Sequence, residues 1–276
     1  MRPYNSQNMY LGIICSTTRA NLLVSVDKMA KDVKGKVVLV TGSADGLGLA
    51  MVDHFLQNGA KLAIMLDLNE HKGLESLANL KHGNNRTVFY KCDVTTDIET
   101  IWKKLEDTYS YIDILVNNAG VVSEKFPKKC IDINVTALIE WSLKFLEYSR
   151  TDKSGKGGTI INIASTYGFR SDQFSPVYQA SKFAVLGFTK SLGHTGNFKR
   201  CGVRVVAVCP GFTETKLVKN IDTWDETLSN DVTKYVKDQV FQNPDAVGNA
   251  AVEIFQIAKS GTAWVIEGGK PIEELV

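Results

Sequence analysis

Residues 37–67, VVLVTGSADGLGLAMVDHFLQNGAKLAIMLD, decide the fold. Val37–Val40 is a short apolar, β-branched run that reads as a buried strand. Leu47–Gln57 then carries apolar residues at helical spacing, and Leu62–Leu66 is a second buried strand that ends at Asp67. A strand, a glycine-bearing turn, a helix and a second strand make one βαβ unit. Glycine at Gly42, Gly46 and Gly48 lets the backbone approach a phosphate, with the N–H groups of a helix N-terminus facing its negative charge. Asp67 lies about 20 positions past the glycines, where an acidic side chain grips a ribose hydroxyl. The stretch therefore predicts a dinucleotide site. Gly42, Ala44, Asp45, Gly46, Leu47, Gly48, Asp67 and Leu68 are the cofactor-binding residues expected in this stretch.

The same alternation continues outward. Thr87–Lys91, Ile114–Val116, Thr159–Ala164, Val203–Val208 and Ala263–Ile266 read as strands; Asp97–Thr108, Ile133–Tyr148 and Val177–Leu192 read as helices. Strands alternating with helices predict an α/β fold, a doubly wound and mostly parallel sheet of the Rossmann type in a single domain. Gly42, Asp67, Asp93, Asn118, Ser165 and Pro210 all fall at strand C-terminal ends, where such sheets bind ligands. The domain is expected to span 34–276, after an N-terminal extension at 1–33 that reads as disordered.

Composition removes several function classes. The net charge of +2 is nearly balanced and no basic stripe stands out, so nucleic acid is not an expected partner. Cys15, Cys92, Cys130, Cys201 and Cys209 are odd in number and form no CxxC pair, which suits reduced thiols in the cytoplasm. His54, His71, His82 and His194 show no metal-ligand spacing, so no metal is expected. The apolar runs Met9–Cys15 and Leu22–Val26 are interrupted by Thr17, Thr18, Arg19 and Asn21. They are too short to span a membrane and lack a clean cleavage signature, so no stable membrane insertion is expected.

Tyr178 and Lys182 stand four apart on an expected helix and project from one face. A lone YxxxK is common by chance, but Ser165 closes its own strand thirteen residues earlier and can present its hydroxyl beside the phenol. A phenol titrates near 10, and an adjacent ammonium favours the phenolate. Lys182 is therefore expected to lower the pKa of Tyr178 towards working pH. Tyr178 would then take the proton of an alcohol while hydride leaves its carbon, and Ser165 would hydrogen-bond the alcohol or carbonyl oxygen.

The residues Thr41-Gly42-x-x-x-Gly46-x-Gly48, Asn117-Asn118-Ala119-Gly120, Asn134, Ser165, Tyr178-x-x-x-Lys182 and Pro210-Gly211, in this order and spacing, resemble the short-chain dehydrogenase/reductase family over about Lys36 to Glu267. The resemblance implies catalytic roles for Asn134, Ser165, Tyr178 and Lys182. Asn134 would position a water in a proton relay, and Lys182 would also hold the nicotinamide ribose. It implies cofactor contacts at Cys92, Asp93, Val94, Asn118, Gly120, Pro210, Gly211, Thr213 and Thr215, and substrate contacts at Ser165, Ser175 and Tyr178. Asp67 would repel a 2′-phosphate, and Asp45 adds negative charge within the glycine turn, so NAD is expected rather than NADP.

Within the family, the stretches 157–163, 208–212 and 263–268 are most similar to the group of insect alcohol dehydrogenases and 15-hydroxyprostaglandin dehydrogenases. The prostaglandin enzymes place a substrate-binding glutamine three positions before the catalytic tyrosine; this chain has Ser175 there. Val218, Ile221, Leu228, Val232, Tyr235, Val236 and Val240 recur at helical spacing, which predicts a helical lid near 212–243 with one buried face, joined by Trp224 and Phe241. Such a lid suits a small apolar alcohol or carbonyl substrate. Phe169 and Phe174 fit either that pocket or the core. A homodimer or homotetramer is implied by the resemblance, joined through the helices near Leu138–Tyr148 and Val177–Leu192. A catalytically silent dinucleotide-binding storage or regulatory protein is the alternative. The presence of Asn134, Ser165, Tyr178 and Lys182 together argues against it.

Overall fold

The computed structural model describes residues 32–276 apart from Asn84 and Asn220. The expected extension at 1–33, save its last two residues, lies outside the described residues. Eight strands form one sheet: β1 Val37–Thr41, β2 Leu62–Asp67, β3 Thr87–Lys91, β4 Ile114–Asn117, β5 Gly158–Ile163, β6 Val203–Pro210, β7 Ala263–Ile266 and β8 Glu273–Glu274. Their spatial order is β3-β2-β1-β4-β5-β6-β7-β8. Every pairing from β1 to β7 is parallel, and only β8 runs antiparallel against β7. The fold is the expected doubly wound parallel sheet.

Side chains along β1 alternate between two cores. Val38 and Val40 enter a cluster with Met51, Phe55 and Leu56 of α1 (Gly46–Gln57). Val37 and Leu39 enter the opposite cluster, with Trp102 and Leu105 of α3 (Ile98–Thr108). Helices cover both faces, so the central strands β1, β2, β4, β5 and β6 are apolar on both sides, and that produces the continuous Val/Ile/Leu runs. The first core is closed by α10 (Pro244–Ile257), whose Phe255 meets Phe55 edge-on with ring centroids 6.2 Å apart. The second is closed by α5 (Leu138–Ser149), where Trp141 meets Trp102 in the same manner at 6.1 Å.

Strand order reverses between β1 and β4, which pair through Val40 and Val116. Chains leave these two strands towards opposite faces, and the gap above their carboxyl ends is the natural ligand crevice. Two helices begin at asparagine caps. α2 (Glu70–Asn79) buries only Gly73 and Ser76 and begins where the Asn69 side chain accepts the Lys72 N–H at 3.0 Å. α10 begins with the Asn243 side chain capping Asp245 N at 2.9 Å.

Two stretches depart from the expected regularity. The helix expected over Ile133–Tyr148 starts instead as a short α4 (Pro127–Ile131), widens to a π-turn over Asp132–Ala137, and only then continues as α5. The expected helical lid is broken into α8 (Lys216–Lys219), one tight turn at Glu226–Leu228, and α9 (Ser229–Lys237). Within α9 only Val232 is buried, and Val240 beyond it is 69% exposed. The remaining helices are α6 (Pro176–Leu192), which carries Tyr178, and α7 (Thr195–Cys201).

Candidate active site

A cavity of about 1110 Å³ opens above the carboxyl ends of the strands. Ordinary small-ligand sites occupy roughly 300–1,000 Å³, so this one lies just beyond the large end of that range. Gly42, Asp45, Gly46 and Leu47 form one wall, Asp67, Leu68, Cys92, Asp93 and Val94 another, and Asn118 and Gly120 the floor between them. Ser165, Ser175, Tyr178 and Lys182 face the same space from beyond β5, and Pro210, Gly211, Thr213 and Thr215 from beyond β6. Three of the expected residues do not line it: Ala44, Gly48 and Asn134.

The glycine turn leaves no room for side chains, so its backbone is bare for close approach of a ligand. Gly42 has φ of 63°, and a Cβ there would lie 2.8 Å from Ala119 Cα. A Cβ on Gly48 would lie 2.2 Å from the Gly42 carbonyl oxygen, so α1 is drawn hard against the end of β1. Gly46 opens α1 and presents the first turn of that helix to the cavity. Asn118 fixes the turn from beneath, its Nδ2 donating to the carbonyls of Thr41 at 3.0 Å and Gly42 at 2.8 Å.

Asp67 holds this wall together. One carboxylate oxygen accepts the Ala44 N–H at 2.9 Å and the other the Asn69 N–H at 2.9 Å. Each oxygen keeps a further lone pair for a ribose hydroxyl. Asp93 closes a turn at the end of β3, accepting from the Thr95 N–H and hydroxyl. Asp45 is bridged by Lys216 of α8 at 2.7 Å, and that contact holds its carboxyl below the usual range. Thr213 is buried, its hydroxyl donating to the Gly211 carbonyl and accepting from Gln242 Nε2.

Beyond β5, Ser165, Tyr178 and Lys182 are all buried. Lys182 Nζ lies 5.6 Å from the Tyr178 ring centroid and donates to the Ile163 carbonyl at 2.9 Å. Burial pushes the phenol up to about 12, with hydrogen bonding to the Ser165 hydroxyl opposing it and the Cys130 thiol adding to it. Burial also lowers Lys182 to about 8, against the pull of Cys130 and Cys209. The expectation that Lys182 lowers the phenol pKa is therefore corrected. Both charged forms are disfavoured by the loss of water, and the amine reaches a backbone carbonyl rather than the phenol oxygen.

Asn134 sits in the π-turn behind Lys182. Its Oδ1 accepts the Val121 N–H at 2.8 Å, while Nδ2 donates to the Val121 carbonyl at 2.9 Å and to Ser181 Oγ at 3.0 Å. Both ends of the amide thus clamp the loop after β4 against α6. Among the pocket aromatics, Tyr167 meets Tyr178 edge-on at 6.4 Å and shares a hydrogen bond with Tyr235 at 3.1 Å. Phe212 packs on Tyr167, Tyr235 and Phe241. Phe174 underlies Tyr235, and Phe169 belongs to the core cluster beneath α6.

The model of the short chain dehydrogenase family matches residues 36–226 of the chain. The chain belongs to the short-chain dehydrogenase family. It is 34% identical to the 15-hydroxyprostaglandin dehydrogenase [NAD(+)] of Rattus norvegicus over 250 residues, which cover 87% of this chain and 94% of that protein. It is 35% identical to the Macaca fascicularis protein of the same name, over 81% of this chain and 87% of the relative. Alcohol dehydrogenase 1 of Ceratitis capitata is 30% identical, over 85% of this chain and 93% of the relative.

Motif reading of this dehydrogenase passes over one residue. Glu124 is only 4% exposed, and its two carboxylate oxygens accept the N–H groups of Val177 at 2.9 Å and Tyr178 at 2.8 Å. Burial raises its pKa, and the nearby carboxylates of Asp222 and Asp172 add to the effect. Ser175, at the start of α6, makes no side-chain cap, and Pro176 follows it. The first-turn amides of the helix are thus satisfied from 54 residues away in sequence. No local spacing signals such a contact.

Proposed function

We propose that this short-chain dehydrogenase interconverts an apolar secondary or primary alcohol and its carbonyl, using NAD and the set Ser165, Tyr178, Lys182 and Asn134. The observation that carries the reading is the burial of Ser165, Tyr178 and Lys182 on the wall of the cavity that the glycine turn also lines. Bound beside the glycine turn and Asp67, NAD would supply the acceptor and donor of hydride for the alcohol carbon. Tyr178 takes the hydroxyl proton in oxidation and gives it back in reduction, and Ser165 holds the same oxygen. Lys182, on the same cavity wall, would hold the nicotinamide ribose. Asn134 keeps the floor at Val121 in place beside it.

Asp67 supports NAD over NADP, because a 2′-phosphate would meet a carboxylate already fixed by two backbone amides. The relatives' printed names, two of which carry NAD(+), agree with that choice. Tyr167, Phe212, Val218 and Ile221 on the cavity wall support an apolar substrate, and Ser175 there supports an alcohol other than a prostaglandin. Leu143 of α5 and Phe183 of α6 are half exposed, which supports a homodimer or homotetramer joined through these helices. Cys92, Cys130, Cys201 and Cys209 are free and buried, which suits a reducing cytoplasm. No helix among the described residues is long and apolar enough to cross a membrane.

The test is a panel of aliphatic, terpenoid, retinoid and prostaglandin alcohols with NAD, followed by the absorbance of reduced cofactor. Turnover of an apolar alcohol is expected. Intact NAD binding with no turnover across the panel would favour the silent binding protein instead.

A further inference from the structure

Two carboxylates link the lid to the backbone of Tyr178. Asp222, in the segment between α8 and α9, accepts the Glu124 N–H on both oxygens at 3.1 Å and the Lys125 N–H at 3.2 Å. Glu124 in turn accepts the N–H of Tyr178 at 2.8 Å and of Val177 at 2.9 Å. The Lys125 ammonium bonds Glu226 at 2.6 Å, one tight turn further along the same segment. A second strap runs in parallel, where the Trp224 indole N–H donates to the Gln173 carbonyl at 2.9 Å, just before α6.

The chemistry of the link is directional. A carboxylate with both oxygens on amides of one helical turn fixes the rotation and height of that turn. Charge-assisted bonds of this kind are about twice as strong as neutral ones. Tyr178 projects from that turn, so the placement of its oxygen against Ser165 depends on it. Asp222 holds the backbone from which the Glu124 side chain reaches, so a lid that swings away releases the segment that orients the phenol.

We propose that Glu124 is a positioning residue for Tyr178, and that Asp222 couples the docking of the lid to it. The inference rests on Tyr178 being the acid and base of the reaction. Closure and phenol placement then form one unit, so the proton acceptor is set in place only when the segment 221–226 is docked on Glu124 and Lys125.

The experiment uses the full chain with NAD and a turned-over alcohol, comparing E124Q, D222A, the double variant and Y178F. E124Q keeps the side-chain shape but turns one acceptor into a donor that faces an N–H. It should lower kcat by about 10- to 100-fold, as a misplacement near 1 Å does, with NAD affinity within about twofold. The acidic limb of its kcat/KM profile should move to higher pH, because a phenol displaced from Ser165 ionises less readily. A purely electrostatic effect of removing one negative charge would move the limb to lower pH and overturn the proposal. D222A should raise KM and shift the same limb in the same direction. The double variant should be no worse than the more affected single one by more than about twofold, as expected for residues in one network.

Independent, multiplying effects, or a D222A profile with an unmoved limb, would overturn the coupling. If E124Q fails to fold, D222A alone decides, since Asp222 accepts from Glu124 and Lys125 and not from α6. Y178F separates the two levels. An active Y178F sinks the assignment of the base itself, whereas an inactive Y178F beside a normal E124Q sinks only the positioning role.

Discussion

Tyr178 and Lys182 share one face of α6, yet the Lys182 nitrogen is bonded to the Ile163 carbonyl at 2.9 Å and stands 5.6 Å from the centre of the Tyr178 ring. The pair is thus a neutral phenol near 12 beside an amine near 8, both displaced by burial. At neutral pH this favours the phenol as a proton donor. Oxidation needs it as a proton acceptor. The kcat/KM for alcohol oxidation should therefore climb from pH 7 to pH 10, while carbonyl reduction holds level or falls over the same range. Initial rates in both directions across that range check the sign, and oxidation fastest at pH 6 would contradict it.

Tyr178→Phe removes the phenol oxygen and little volume. It should reduce kcat by about 10²- to 10⁴-fold and leave NAD affinity within about a factor of two. Fluorescence titration with NAD alongside the rate assay separates the two effects. Undiminished turnover would remove Tyr178 from the reaction.

Lys182→Met should stabilise the fold while abolishing activity. A group whose native pKa lies near 8 rather than 10.5 must be charged in a dry site at pH 7, a penalty of at most about 3 kcal/mol. Loss of the bond to the Ile163 carbonyl returns about 1 kcal/mol, so a gain of about 1–2 kcal/mol remains. The sign follows from the depressed pKa. Stability conferred by neutral Lys182 is complete above 10.5 and is lost as pH falls through 8. The advantage of the methionine should therefore be full below pH 8 and gone above pH 10.5. Thermal melts of both proteins at pH 7 and pH 10.5 test it, and a methionine variant that melts lower at pH 7 would refute the account.

Asp67→Ala should act on the cofactor and on the fold together. Loss of the ribose contacts should weaken NAD by about tenfold, equivalent to about 1.4 kcal/mol, and narrow the preference over NADP. The Ala44 and Asn69 amides also lose their acceptor, so the melting temperature should fall. Affinities for both cofactors, measured by calorimetry, decide the first part. An unchanged NAD-to-NADP ratio would count against the ribose role.

Gly48→Ala tests the close approach of α1 to β1. The added methyl group would meet the Gly42 carbonyl oxygen at 2.2 Å and Asn118 Nδ2 at 2.7 Å, and the first of these is backbone that yields only by displacing the glycine turn. NAD binding should weaken by at least about tenfold, while the sheet order is kept, since the strand pairings of β1 do not involve the turn. A variant with native NAD affinity would show that the turn tolerates the shift.

The sequence was most legible where burial is two-sided. β1, β2, β4, β5 and β6 are covered on both faces, so their apolar runs mark them without help from the rest of the chain. α2 was silent because its exposed face leaves a polar stretch, and β8 is two exposed glutamates whose pairing to β7 is a matter of proximity. The segment 212–243 departs from its pattern for the opposite reason. Its apolar residues are spaced like one helix, but they serve several short turns, and Tyr235 is committed to Phe174, Phe212 and Tyr167 rather than to a continuous buried stripe.

By itself, the chain's order of residues determined the family, the sheet and the strand ends at which Gly42, Asp67, Ser165, Tyr178 and Lys182 must gather, because periodicity and turn chemistry are local properties. Only the tertiary structure decided how those side chains interact. Whether Lys182 reaches a phenol or a carbonyl, and whether a glutamate 54 residues away holds the amide of Tyr178, depends on angles and desolvation that arise when distant segments pack.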